Sequence, residues 1–148
     1  MSDDLTAPGS ETADVASNDP VSVTNRMLTA GQRGSTIEAE LPTLLDDDCT
    51  NWIPDVLPWG GQAHGRDKVL GRLALMFELF EVVVQSSEVQ RFNEDESVLR
   101  AEVLYTSRKT GKSVAMPVIE FHRSRNGRIV HFDIYYKNPD LVAALAAE

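Results

Sequence analysis

Asp55 and His64 flank Trp59 in a proline- and glycine-rich run, Leu57-Pro58-Trp59-Gly60-Gly61. A carboxylate and an imidazole held together there could carry a proton at neutral pH. His64 reads equally as a cap for the helix that starts near Gly65. Tyr105 and Tyr136 fall on the apolar side of their segments. A buried phenol needs a hydrogen-bond partner, which a ligand oxygen, a water or a core carbonyl would supply. Asp133, Glu102 and Glu120 could do general acid/base work; each also reads as a solvent-facing carboxylate beside a neighbour such as His131 or Arg100. Trp52 and Trp59 could stack on a planar ligand, or serve as a core residue and a cover over the loop.

Other chemistries lack their residues. The three histidines and one cysteine show no His-x-x-x-His or Cys-x-x-Cys spacing, so no metal site is expected. The glycine loop has neither the Lys-Ser/Thr of a phosphate loop nor the Gly-x-Gly-x-x-Gly of a dinucleotide site. Serines and threonines lie in turns without a readable histidine partner, so no nucleophile is indicated. The expectation is an activity without a cofactor.

The elements that position these groups follow from composition and periodicity. A chain of 148 residues is expected to form one domain with a sizeable core. Residues 1–19 hold five of the 23 acidic residues and none of the 14 basic ones, with few large apolar groups. They read as a disordered acidic tail ahead of a domain over 20–148. The net charge of −9 and the lack of a basic stripe argue against nucleic acid as a partner. No apolar run is long enough for a membrane span, and no secretory signal is visible. With Cys49 as the single cysteine, the reading is a cytoplasmic protein.

Asp19-Pro20 supplies a cap and first-turn proline for a helix to about Gln32. Ser35 could open a shorter helix through Leu45, distorted by Pro42 and broken by Asp46-Asp47-Asp48, with a short strand from Cys49 to Ile53 after it. Residues 66–80 form the clearest helix, with Val69, Leu70, Leu73, Met76, Phe77 and Phe80 at three- and four-residue spacings. Strands are expected over roughly 82–91, 97–108, 112–124 and 128–137, joined by tight polar turns and therefore antiparallel. Asn138-Pro139-Asp140 caps a last helical turn. Helices followed by such a sheet predict an α+β fold, with a curved, mostly antiparallel sheet wrapped around helices to leave a cone-shaped cavity.

Strand parity decides what faces that cavity, because a slip of one residue exchanges the faces. One face presents Leu99, Ala101, Val103 and Tyr105, then Ala115, Pro117, Ile119 and Phe121, then Phe132, Ile134 and Tyr136. The other presents Arg100, Glu102, Glu120, His122, His131, Asp133 and Tyr135. Burying ionisable groups is costly without pairing, so the first set is assigned to the cavity.

The pattern resembles the SnoaL-like polyketide cyclases, within the ketosteroid-isomerase and nuclear-transport-factor-like cone fold. The residues that carry the likeness are Leu44-Leu45-Asp46-Asp47-Asp48, Pro58-Trp59-Gly60-Gly61 and Gly65-Arg66-Asp67-Lys68-Val69. Thr110-Gly111-Lys112, Phe121-His122-Arg123, Asn126-Gly127-Arg128-Ile129-Val130 and Tyr135-Tyr136 complete it. Aligned on these, the isomerases' oxyanion tyrosine falls on Met27, their general base on Ile53 and their protonated aspartate on Ile119. The cyclases' acid/base aspartate falls on Ile134, and the arginine and aspartate of the related epoxide hydrolases fall on Ala101 and Val103. The usual catalytic residues are therefore not matched.

What the resemblance implies is a cyclase or isomerase acting on a polyketide-like hydrophobic small molecule in an apolar cavity. The alternative is a non-catalytic ligand-binding or accessory protein of the same fold. Tyr105 or Tyr136 would polarise a carbonyl, with Asp55 or His64 as proton carrier. Met27, Trp52, Trp59, Phe77, Phe80, Val103, Ile119, Phe121, Phe132 and Ile134 are expected to contact the ligand. The family commonly pairs through its sheets, which implies a homodimer.

Overall fold

In the computed structural model, which describes residues 18–32 and 40–148, Asp19 opens the first helix α1 (Pro20–Gln32). Its carboxylate accepts the Val21 N–H at 3.1 Å and pairs with Arg91. After α2 (Leu41–Leu44) come β1 (Leu45–Ile53), β2 (Gly61–His64) and α3 (Arg66–Leu79). Four long strands follow: β3 (Phe80–Arg91), β4 (Glu96–Ser107), β5 (Ser113–Arg125) and β6 (Arg128–Tyr136). Helix α4 (Pro139–Ala147) closes the chain. The tail expected over 1–19, up to residue 17, and the helix start expected at Ser35 lie outside the described residues.

The six strands form one sheet in the order β2-β1-β6-β5-β4-β3. Only the β1–β6 pair is parallel; the other ladders are antiparallel. Asn126-Gly127 turns β5 into β6 with φ of 54° and 77°, the two positive angles that a two-residue hairpin loop demands. Register shifts interrupt the ladders between Val84 and Ser86 and between Arg123 and Ser124. Such bulges bend a strand and increase its twist. The sheet curls around α1, which crosses β3 to β6, and α3, which packs against β1, β2 and β3. Helix α4 rests on β4 and β5.

Strand β4 shows why the sheet has a wet and a dry face. Ser97, Leu99, Ala101, Val103, Tyr105 and Ser107 are buried, and the residues between them are not. That alternation is the period of two of a pleated strand. Phe80 begins β3 with no exposed surface; burying such a ring stabilises the fold by about 1.5–3 kcal/mol.

Four expectations need correction. Asp46-Asp47-Asp48 does not interrupt the chain but lies within β1, where Asp47 pairs with Arg66 at 2.8 Å. The glycine loop contains the short strand β2, whose partner is β1. The last helix runs for nine residues rather than one turn. Most consequentially, β5 has the opposite parity: Met116, Val118, His122 and Ser124 are buried, and Glu120 points inward with them. Ile119 is 41% exposed on the outer face, and Phe121 shares that face. The desolvation penalty used to send Glu120 and His122 outward is offset because the two bond to each other.

Candidate active site

Inside the curl lies a cavity of about 110 Å³. Its apolar walls include Met27 from α1, Phe77 from α3, Val103 from β4, and Phe132 and Ile134 from β6. Its polar groups are Glu120, Tyr105 and Tyr136. Antiparallel pairing sets Glu120 opposite Leu99 on one side and Ile134 on the other, and His122 opposite Ser97 and Phe132. One carboxylate thus enters an otherwise hydrocarbon wall.

His122 Nε2 is 2.7 Å from Glu120 Oε1. The imidazole has no exposed surface, and its ring is tilted over Phe132 with centroids 5.5 Å apart. Nδ1 is buried without a hydrogen-bond partner. The arrangement that leaves no buried N–H unpaired is a neutral ring donating Nε2–H to an ionised Glu120. The imidazole then fixes the carboxylate, leaving Oε2 for other work.

Across the cavity, the Tyr105 hydroxyl donates to the Tyr136 oxygen at 2.7 Å. Burial pushes the Tyr105 phenol well above its ordinary value, and the negative charges of Tyr136 and Glu120 act in the same direction. Burial pushes Tyr136 up to about 12, against the lowering effect of the Tyr105 hydroxyl and the Trp59 indole. Both phenols therefore hold their protons at neutral pH and act as donors, not bases. Because Tyr105 donates to it, Tyr136 keeps its own proton for another acceptor.

Trp59 backs this pair. Its ring lies parallel to Tyr105 at 6.3 Å and edge-on to Phe80 at 5.7 Å. Its Nε1 is buried and forms no hydrogen bond of good geometry, although the N–H lies near enough to the Tyr136 oxygen to lower that group's value. The turn that carries Trp59 is tight: Leu57 N–H bonds to Pro54 O and Gly60 N–H to Leu57 O. A side chain on Gly60 would place its Cβ 1.9 Å from Pro54 O, so only glycine fits. Arg72 of α3 then clamps the turn by donating to the carbonyls of Trp59 and Gln62, each at 3.2 Å.

A larger space, a groove of about 940 Å³, opens on the outside around β2. Neither Glu120 nor the tyrosines reach it, so the cavity inside the curl is where chemistry is concentrated. Trp52 and His64, expected as ligand and proton-carrying groups, lie along this groove with Lys68 and His131. His131 is occupied by Thr50 Oγ1 at 2.7 Å. Asp55 is exposed on the turn and lines neither space, so the anticipated Asp55–His64 rim does not form. Phe80 packs behind the cavity wall without lining it. Asp133 faces outward and accepts the Tyr135 hydroxyl at 3.2 Å.

The structure thus brings Tyr105, Tyr136, Trp59, Met27, Phe77, Val103, Phe132 and Ile134 to one cavity. It adds Glu120, with His122 bonded behind it, both of which sequence reasoning placed outside. The available signal was their spacing: an acid and a histidine two apart on one strand share a face and can satisfy one another. Among the described residues, no group of three or more histidine, cysteine or carboxylate side chains is gathered to hold a metal ion. Among the described residues, no helix is long and apolar enough to cross a membrane.

A family model described as the SnoaL-like domain matches residues 15–132. No curated protein sequence matches significantly. Solved structures do. An NTF2-like protein of unknown function from Burkholderia pseudomallei is 20% identical with a TM-score of 0.73, over 85% of this chain and 95% of that one. A Pseudomonas putida protein provisionally described as a polyketide cyclase is 16% identical with a TM-score of 0.73, over 84% and 96%. A Rhodopseudomonas palustris protein provisionally described as an isomerase is 21% identical with a TM-score of 0.66, over 82% and 92%. At such identities the likeness is one of fold.

Proposed function

The chain belongs to the SnoaL-like domain family, and from that membership we propose that it is a cofactor-independent cyclase or isomerase of a small hydrophobic carbonyl compound. The observation that carries the reading is Glu120, held by His122 at 2.7 Å, in an apolar cavity that also holds the Tyr105–Tyr136 donors. Glu120 takes a proton from the carbon next to the substrate carbonyl. The Tyr136 O–H donates to the developing enolate oxygen, and the Tyr105 hydrogen bond makes it a better donor. Where the substrate carries a β,γ double bond, the resulting dienolate takes the proton back from Glu120 at its γ carbon, which is isomerisation. In cyclisation the enolate carbon instead forms a bond to a second carbonyl carbon, and the resulting alkoxide receives the proton from Glu120. A positioned base of this kind contributes on the order of 10²–10⁴-fold.

Size bounds the substrate. A cavity of about 110 Å³ is smaller than the roughly 150 Å³ apolar cavity that accepts benzene. It suits one ring or a short chain, and a fused polyketide enters only if the wall yields. The experiment is α-proton exchange of 2,4-pentanedione into deuterium oxide, followed by NMR with wild type and Glu120→Gln. Exchange at least about 100-fold slower in the variant is expected; equal rates would remove Glu120 from the chemistry.

A second reading, sequestration of a hydrophobic ligand without turnover, is favoured by one feature: the two tyrosines are already bonded to each other. It predicts ligand binding unchanged by Glu120→Gln and no exchange in wild type. In either reading the outer sheet face is proposed as the surface of a homodimer. It exposes Trp52, Ile119 and Tyr135 at 48%, 41% and 54%.

A further inference from the structure

Trp59 is the one described residue that lines both the cavity and the outer groove. Elsewhere the two spaces are kept apart by whole elements. Helix α3 turns Leu75 to the groove and Leu73 and Met76 to the cavity, and β1 turns Trp52 to the groove and Ile53 to the cavity. The indole is 1% exposed, and packing against Phe80 and Tyr105 is what seats it, since its Nε1 forms no hydrogen bond of good geometry. Its backbone is secured independently by the Arg72 clamp and the Gly60 turn. Side chain and scaffold are thus separable here: the ring can be made smaller without removing any bond that shapes the turn.

We infer that Trp59 is the partition that sets substrate size, and that shrinking its side chain joins the cavity to the groove and admits two-ring ligands. The wild-type cavity of about 110 Å³ has room for one ring at most, whereas the groove that Trp59 also lines offers about 940 Å³ of open space. This is the specificity side of the proposed active site and rests on that reading for its biological meaning. Its test is read without turnover, so the two can fail separately.

The experiment compares benzene and naphthalene binding to wild type, Trp59→Phe and Trp59→Leu, by calorimetry and by methyl NMR. Naphthalene is expected to bind Trp59→Leu at least about tenfold more tightly than wild type, with Trp59→Phe between them. Methyl signals of both Ile53, on the cavity side, and Leu75, on the groove side, should shift. Removing a large buried ring is destabilising. Should Trp59→Leu fail to fold, Trp59→Met, whose flexible chain fills more of the space, carries the same comparison. A folded variant that binds naphthalene no better than wild type, or that shifts signals on one side only, would overturn the inference.

Discussion

The His122 imidazole, wholly buried, reaches the Glu120 carboxylate at 2.7 Å while the carboxyl side chain retains 15% exposure. The histidine is thus the inner, structural partner and the glutamate the one that meets the cavity. Two residues of one strand have divided the work of anchoring and of contact.

That division gives a stability prediction. His122→Ala leaves a largely buried carboxylate without its donor, which should cost about 1–3 kcal/mol. A double variant, Glu120→Leu with His122→Phe, should recover part of the loss because no charge is then buried. Urea denaturation measures both. A His122→Ala protein as stable as wild type would show that the pair contributes nothing to folding.

The tyrosines predict behaviour at alkaline pH. Tyr136 rises from an ordinary value near 10 to about 12 on folding, and Tyr105 also rises. The folded state therefore holds more protons than the unfolded one between those values. Stability from these groups is fully present below pH ~10 and is lost as pH climbs through the folded values. Absorbance at 295 nm should show reversible phenolate formation from the exposed Tyr135 alone, then a rise for the other two tyrosines that coincides with unfolding. Reversible ionisation of two tyrosines at pH 10 in a folded protein would contradict the buried pair.

Cys49 should be inert. Burial, and then the Asp46 charge, push its thiol from 9.0 up to about 12, and it has no exposed surface. Since the thiolate is the reactive form, Ellman's reagent at pH 8 should label it only after denaturation. Rapid labelling of the native protein would mean that β1 opens readily.

Ile119 tests the proposed dimer. Placed among Phe121 and Tyr135 on the outer face, it is exposed in a single chain and makes no cavity contact. Ile119→Lys should convert a dimer to a monomer in sedimentation velocity without lowering the melting temperature of the monomer. A wild-type protein that sediments as a monomer at high concentration would dismiss the interface.

Much of this architecture was legible because local rules act alone in the relevant segments. Pro20 and Gln32 were readable as the ends of α1, and three polar turns marked the boundaries of β3 to β6 to within two residues. Strand β4 alternates cleanly, so its inward set could be read directly. Strand β5 does not: Val114, Met116 and Val118 on one face compete with Ala115, Pro117, Ile119 and Phe121 on the other. Hydrophobicity then leaves parity undecided: the spacing of Glu120 and His122 says that they share a face and can bond to each other, and the pairing register says which face it is. Strand β2 escaped notice because its four residues derive their extended form from β1 rather than from their own sequence. Asp46-Asp47-Asp48 likewise reads as a break, yet joins β1 next to a tertiary partner, Arg66.

The single parallel ladder, β1 beside β6, has a consequence for how the protein is made. Thr50 and His131, joined across it, are 81 residues apart in sequence. During synthesis the β1–β2 ribbon must wait for β6, with one edge bare, for about 4–16 s at roughly 5–20 residues per second. Closing so long a loop is the slow, entropically demanding step for a sheet of this order. The nascent chain is thus most open to chaperones, and to mispairing with its neighbours, at the strand it made first.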